Sequence, residues 1–171
     1  FFDFRDMLKS YAVGGFPYTP PVGLINGLAH SVQLLEDEGL EAVYARHARI
    51  AEGVRRAIAA WGMTPCAASP ELYSDTVTAV VVPAGCNGTD LVQLAASKYG
   101  VAFGVGLGEV AGKVFRIGHL GSLTDVMMLS GLATAEMCMA DLGWPITLGS
   151  GVAAAQEYYR NGAREAAKAA A

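Results

Sequence analysis

Val114-Phe115-Arg116-Ile117-Gly118-His119-Leu120-Gly121-Ser122-Leu123 sets a single arginine inside an apolar, glycine-rich stretch. Residues 113–118 read as a strand that carries Arg116. Ser122 or Thr124 then offers the cap of a long helix, which runs to about Leu142 and ends at Gly143 and Pro145. Arginine is costly to bury unless an anion pairs with it. Its planar fork matches a carboxylate through two parallel hydrogen bonds. Two readings fit Arg116 by position: a receptor for a ligand carboxylate, or an internal salt bridge or snorkelling edge-strand arginine.

Upstream, Thr76–Val82 is β-branched and ends at Pro83, a second strand. Asn87 to Asp90 offers caps for a helix over 90–99, closed by Gly100. A short strand near 101–104 and a turn-prone 104–112 follow. Residues 40–61 form an amphipathic helix with Val43, His47, Ile50, Val54 and Ile58 on one face. Before it, Leu24, Leu28, Val32 and Leu35 recur at helical spacing between Val22 and Glu38, with Gly39 as the stop. Residues 3–12 are helix-compatible, with Asp3 as N-cap. The tail from Ser150 is helix-forming, and its end, A-R-E-A-A-K-A-A-A, is low-complexity and expected to fray. Together these elements predict an α+β domain with a long helical lead-in and helices on one face of a small sheet.

The chain is long enough for one ordinary domain with a sizeable core. Charged residues make up 16% and hydrophobic ones 53%, against a typical charged share of about 25%. Part of the surface is therefore expected to be covered, by a partner subunit or by another part of the same protein. A net charge of −4 without a basic run argues against nucleic acid. No apolar run reaches the roughly 18 residues of a membrane span. Cys66, Cys86 and Cys138 form no CxxC or Cys/His cluster, so neither a disulfide framework nor a zinc site is indicated. A reducing cytoplasm fits them. The opening F-F-D-F-R has no Met, as expected of a piece of a longer polypeptide.

Gly104-Val105-Gly106-Leu107-Gly108 is half of a dinucleotide fingerprint, but it precedes a strand instead of opening a helix. It reads as a turn whose backbone comes close to something. His30, His47 and His119 lack metal-ligand spacing; His47 reads as a core histidine, and His119 is placed near Arg116 by sequence. Gly14 to Pro21 is a stiff loop with two glycines and three prolines. Its Tyr18 and Thr19 hydroxyls could donate to a phosphate, or Tyr18 could merely pack and Thr19 merely cap the next helix.

F-F-D-F-R-D-M, G-G-F-P-Y-T-P-P-V-G-L-I-N-G-L, Y-A-R-H-A-R-I-A-E-G-V-R, P-E-L-Y-S-D-T-V-T-A-V, G-K-V-F-R-I-G-H-L-G and L-G-S-G-V-A-A-A-Q-E-Y-Y-R together resemble the class V aminotransferases of the serine–glyoxylate and aspartate–glyoxylate group. The resemblance runs along nearly the whole chain, in order, and covers the C-terminal part of such an enzyme. It implies a fold-type I, PLP-dependent α/β transferase, with 1–39 as the end of the large domain and start of the connecting helix region. It makes 40–148 the α+β small domain and 149–171 a helical tail. It implies that Arg116, in the R-I-G-x-L-G motif, binds the substrate carboxylate. Thr19, with Tyr18 beside it, would contact the phosphate of pyridoxal phosphate (PLP) in the neighbouring subunit of a homodimer. Phe16 stands where some relatives have the tyrosine. The family's PLP-binding lysine lies upstream, and Lys9, Lys98, Lys113 and Lys168 match none of its catalytic positions. The implied activity is amino transfer from serine or aspartate to glyoxylate, giving glycine. The alternative is a stand-alone, non-catalytic α+β domain that binds small carboxylates.

Overall fold

The computed structural model describes residues 3–169, with side chains for residues 3–161. The chain divides into two compact units, residues 1–43 and 44–171.

The first unit is helical. Asp3 caps α1 (Phe4–Ala12) by accepting from the Arg5 amide at 2.9 Å. The proline-rich loop follows, and α2 (Val22–Glu38) begins directly after Pro21. Gly39, at φ +86°, ends α2 in a conformation that favours glycine. No residue of α2 is buried. Its periodic leucines and valine, Leu24, Leu28, Val32 and Leu35, all stand exposed.

The second unit holds the core. The helix α3 (Leu40–Ala60) buries His47, Ile50, Val54 and Ile58 along one face. After it come β1 (Thr64–Pro65), β2 (Val77–Val81), α4 (Gly88–Tyr99), β3 (Gly104–Val105), β4 (Val114–Gly118), α5 (Asp125–Asp141) and α6 (Ser150–Ala169). The four strands pair antiparallel throughout, in the order β1-β2-β4-β3. The expected strands over 76–82 and 113–118 form with trimmed ends. The short strand expected near 101–104 forms instead at Gly104–Val105, sharing one residue with that range. The two-residue β1 is an addition: it is too short to show any periodicity, and it exists only because β2 offers it an edge.

Alternation along β2 and β4 sorts the two sheet faces. Thr78, Val80, Phe115 and Ile117 are buried on the core side, whereas Val77 and Val81 are exposed. Phe115 is fully buried and meets Phe103 and Trp144 edge to face, at centroid distances of 6.1 and 6.4 Å. Each such apolar side chain contributes roughly 1.5–3 kcal/mol on burial. Helices α3 and α6 approach closely through two glycines. A side chain at Gly53 would overlap the Tyr159 ring, and one at Gly151 would overlap the Trp61 indole. Tyr159 donates its hydroxyl to the Ile50 carbonyl at 2.8 Å. Arg49 reaches the Tyr159 carbonyl at 2.9 Å and pairs with Asp125 at the start of α5.

One buried carboxylate joins these helices. Glu136 on α5 accepts from the Trp61 indole at 2.8 Å and from the amides of Gly151 and Val152 at 2.7 and 3.1 Å. It also accepts from the Gly149 amide. Those three amides lie at the start of α6, where helical N–H groups have no partner in their own helix and negative charge is favoured.

A buried histidine closes the β2–β4 pair. The His119 ring is fully buried; Nδ1 donates to the Asp75 carbonyl at 2.9 Å, so Nε2 is left to accept from the Thr78 hydroxyl at 2.9 Å. Burial holds its pKa below the ordinary value.

Two predictions follow from these buried groups. Glu136→Ala should destabilise the protein by about 3 kcal/mol or more, because four donors lose their acceptor; urea unfolding at neutral pH measures it. A loss under about 1 kcal/mol would mean that water replaces the carboxylate. For His119, a folded pKa below the unfolded one means the unfolded chain binds the extra proton. Stability is then complete above the unfolded value near 6.5 and falls as pH drops below it. Urea midpoints taken from pH 7.5 down to 5 should show that decline, and His119→Gln should flatten it.

Candidate functional site

Arg116 sits at the centre of β4, with Ala79 of β2 opposite it on one side and Gly104 of β3 on the other. Its neighbours Phe115 and Ile117 point into the core, so Arg116 occupies the other face. It is partly buried. Its Nε donates to the Val105 carbonyl at 2.9 Å. Among the described residues no carboxylate pairs with it. With Nε occupied, the two terminal nitrogens remain as a planar fork, the geometry that binds a carboxylate through two hydrogen bonds.

A small cavity of ≈ 150 Å³ opens beside Arg116, bounded by Ala79 and Val77 of β2 and by Leu72, Tyr73 and Ser74 of the loop before it. That loop is held firmly. Arg55 of α3 pairs with Asp75 at 3.2 Å and lies 5.6 Å from the Tyr73 ring centre. Arg55 also pairs with Glu52 at 3.1 Å, so its charge is already answered from two sides.

The segment following Arg116 is fixed from α3. Arg46 donates to the Gly121 carbonyl at 2.6 Å, and the Gly121 amide donates to His47 Nε2 at 3.1 Å. His47 is therefore a structural histidine, in agreement with its reading from the helical pattern. His119 lies on the core face of the sheet, opposite to Arg116, and both its ring nitrogens are engaged. Its expected place beside the arginine is corrected by strand alternation: three residues apart means opposite faces. Arg46, Arg55 and Gly121 had no signal in the sequence as site supports, since their partners lie far along the chain.

Tyr18 and Thr19 belong to the first unit, Arg116 to the second. Within the first unit, Tyr18 and Thr19 line a cleft of ≈ 680 Å³, whose walls include Phe4, Leu8, Tyr11 and Ile25. Thr19 does not cap α2: the cap position is Pro21, with no side-chain bond. Its hydroxyl bonds to no described residue and is exposed. A hydroxyl donor on a proline-stiffened loop suits a phosphate oxygen. The lysines offer less. Lys98 is committed to Asp141 at 2.7 Å, Lys9 lies 3.5 Å from Asp6, and the Lys168 side chain lies outside the described side chains. The backbone of the low-complexity end, where fraying was expected, continues α6 as helix to Ala169, and residues 170–171 lie outside the described residues.

No described helix is long and apolar enough to cross a membrane. No family model matches the chain. It is 64% identical over 171 residues to the L-aspartate–glyoxylate aminotransferase of Paracoccus denitrificans, covering 100% of this chain and 43% of the relative. It is 50% identical over 169 residues to the serine–glyoxylate aminotransferase of Hyphomicrobium methylovorum, covering 99% of this chain and 42% of that one. Among solved structures, the pyridoxamine–pyruvate aminotransferase of Mesorhizobium loti superposes with a TM-score of 0.80 at 39% identity, over 85% of this chain and 38% of the other. The ureidoglycine–glyoxylate aminotransferase of Bacillus subtilis gives 0.78 at 26% identity, over 84% and 37%. The chain thus spans about two-fifths of the length of the curated relatives it matches. Along its whole length it is the counterpart of the C-terminal portion of the aspartate–glyoxylate and serine–glyoxylate group of class V aminotransferases.

Proposed function

We propose that this chain is the substrate-reading portion of a PLP-dependent aminotransferase that moves an amino group from serine or aspartate to glyoxylate, giving glycine. The observation that carries the reading is the Arg116 fork, partly buried and paired with no carboxylate among the described residues. The identity to glyoxylate aminotransferases along the full chain favours it over a stand-alone carboxylate-binding domain.

When bound, PLP supplies the electron sink and the carrier of the amino group. The chain's own residues supply position. Arg116 holds the α-carboxylate of the amino donor and then the carboxylate of glyoxylate, because both substrates carry that group in the same place. Orientation of this kind is where binding contacts lower a barrier. Thr19, with Tyr18 beside it, offers hydroxyl donors to the cofactor phosphate. Residues 1–39 are assigned to the end of the large domain, 40–148 to the small domain and 149–171 to a helical tail.

The protein acts as a homodimer in this proposal, with Thr19 serving the neighbouring subunit. The low charged fraction and the exposed apolar residues of α2 support a covered surface. Three cysteines without a disulfide support a cytoplasmic setting.

In the full-length protein loaded with PLP, glycine formation from glyoxylate is to be followed with serine, aspartate or alanine as donor. Arg116→Ala should lower kcat/KM for donor and glyoxylate alike by about 2–4 kcal/mol, roughly 30- to 1,000-fold. Unchanged kinetics would remove Arg116 from the site. Sedimentation at micromolar concentration should give twice the subunit mass; a stable monomer would refute the dimer.

A further inference from the structure

Arg116 is flanked by a residue that has no side chain. Gly104 lies directly across from it on the edge strand β3. A methyl group added at Gly104 would come within 3.0 Å of Arg116 Nε, 3.1 Å of its Cβ and 3.4 Å of its Cζ, and no other atom lies nearer. Ordinary carbon contacts begin at about 3.5 Å. The backbone there is outside the left-handed region, so glycine is not required by φ. The side chain of Arg116 alone gives the missing Cβ its consequence.

The next residue completes the arrangement. The Val105 carbonyl takes the Nε hydrogen of Arg116 at 2.9 Å. The arginine thus lies flat across Gly104 and is fixed by Val105. Gly106 then turns the chain tightly: a side chain there would overlap the Val110 carbonyl. The turn sends the following residues, Leu107 to Val110, back toward β4 by way of a 3₁₀ turn at Gly108–Val110.

We propose that Gly104 is a positioning residue for carboxylate recognition: its missing side chain lets Arg116 lie across β3, where the Val105 carbonyl fixes Nε and turns the two terminal nitrogens toward the ligand. This rests on the reading of Arg116 as the carboxylate-binding residue. Gly104 touches no reacting atom; it acts through the arginine. A methyl group at 104 lifts the guanidinium by a few tenths of an ångström and loosens the Nε bond, and a two-point contact is sensitive to that shift.

The test uses the full-length holoenzyme as Gly104→Ala, Arg116→Ala and the double variant. Gly104→Ala should raise KM for glyoxylate and for the amino donor about tenfold with a smaller change in kcat, at an unchanged thermal midpoint. In the Arg116→Ala background the same substitution should do nothing further, since its effect passes through that side chain. Calorimetric binding of acetate, which needs no turnover, should weaken in parallel. Additive losses in the double variant, or unchanged KM and acetate affinity in Gly104→Ala, would overturn the proposal, as would a wild-type protein that binds no acetate. A protein that binds acetate through Arg116 yet forms no glycine would sink the transaminase reading and leave this one to be decided by acetate binding alone. Where Gly104→Ala lowers the thermal midpoint, the midpoint of the double variant decides: a loss that Arg116→Ala suppresses keeps the effect on the arginine, and a loss that it does not suppress would make the role structural and also overturn the proposal.

Discussion

The Glu136 carboxylate is the joint on which the second unit depends. It is an ionisable group in a buried place, tolerable only because four N–H donors converge on it. Those donors come from Trp61, at the end of α3, and from the first turn of α6. One side chain on α5 therefore sets the positions of two other helices. The close approach of α3 and α6, which Gly53 and Gly151 permit, depends on the same joint. The sheet rests on that helical layer through Phe115, Ile117 and Val80.

The candidate site is the outer consequence of this inner packing. Because Phe115 and Ile117 must face the core, Arg116 must face away from it. Because β4 is central in the sheet, Arg116 has a strand on each side. Ala79 and Gly104, the residues opposite, are the two smallest side-chain types available, and the arginine has room to lie flat. The segment after it cannot drift, since Arg46 and His47 of α3 hold Gly121 by carbonyl and amide together. His119 performs the same service on the core side by joining Asp75 to Thr78. The three polar groups around the arginine's strand are thus structural, and the arginine pairs with no carboxylate among the described residues.

Most elements were legible from residue pattern. Asp3, Asn87 and Thr124 act as the helix caps that their chemistry suggests. Gly39, Gly62, Gly100 and Gly143 stop helices with positive φ. The α3 face from His47 to Ile58 is buried as its spacing requires. The two-residue strands were marginal, because two residues carry no period and pair only where a neighbour's edge awaits them. Glu136 was unreadable: in sequence it merely interrupts an apolar helix, and its donors arrive from 13 to 75 residues away.

By itself, the sequence determined the helices, the main strands, the α+β class and the presence of an arginine in an apolar strand, since each of these rests on local spacing, capping and the character of single residues. Its ordered motifs also pointed to the aminotransferase resemblance. The tertiary structure decided what answers each charge. It gave Arg55 to Asp75 and Glu52, Lys98 to Asp141 and Glu136 to the start of α6, and it gave Arg116 no carboxylate among the described residues. Pairing of charges is a matter of distance in space, and residues 75 positions apart meet only when strands and helices have packed.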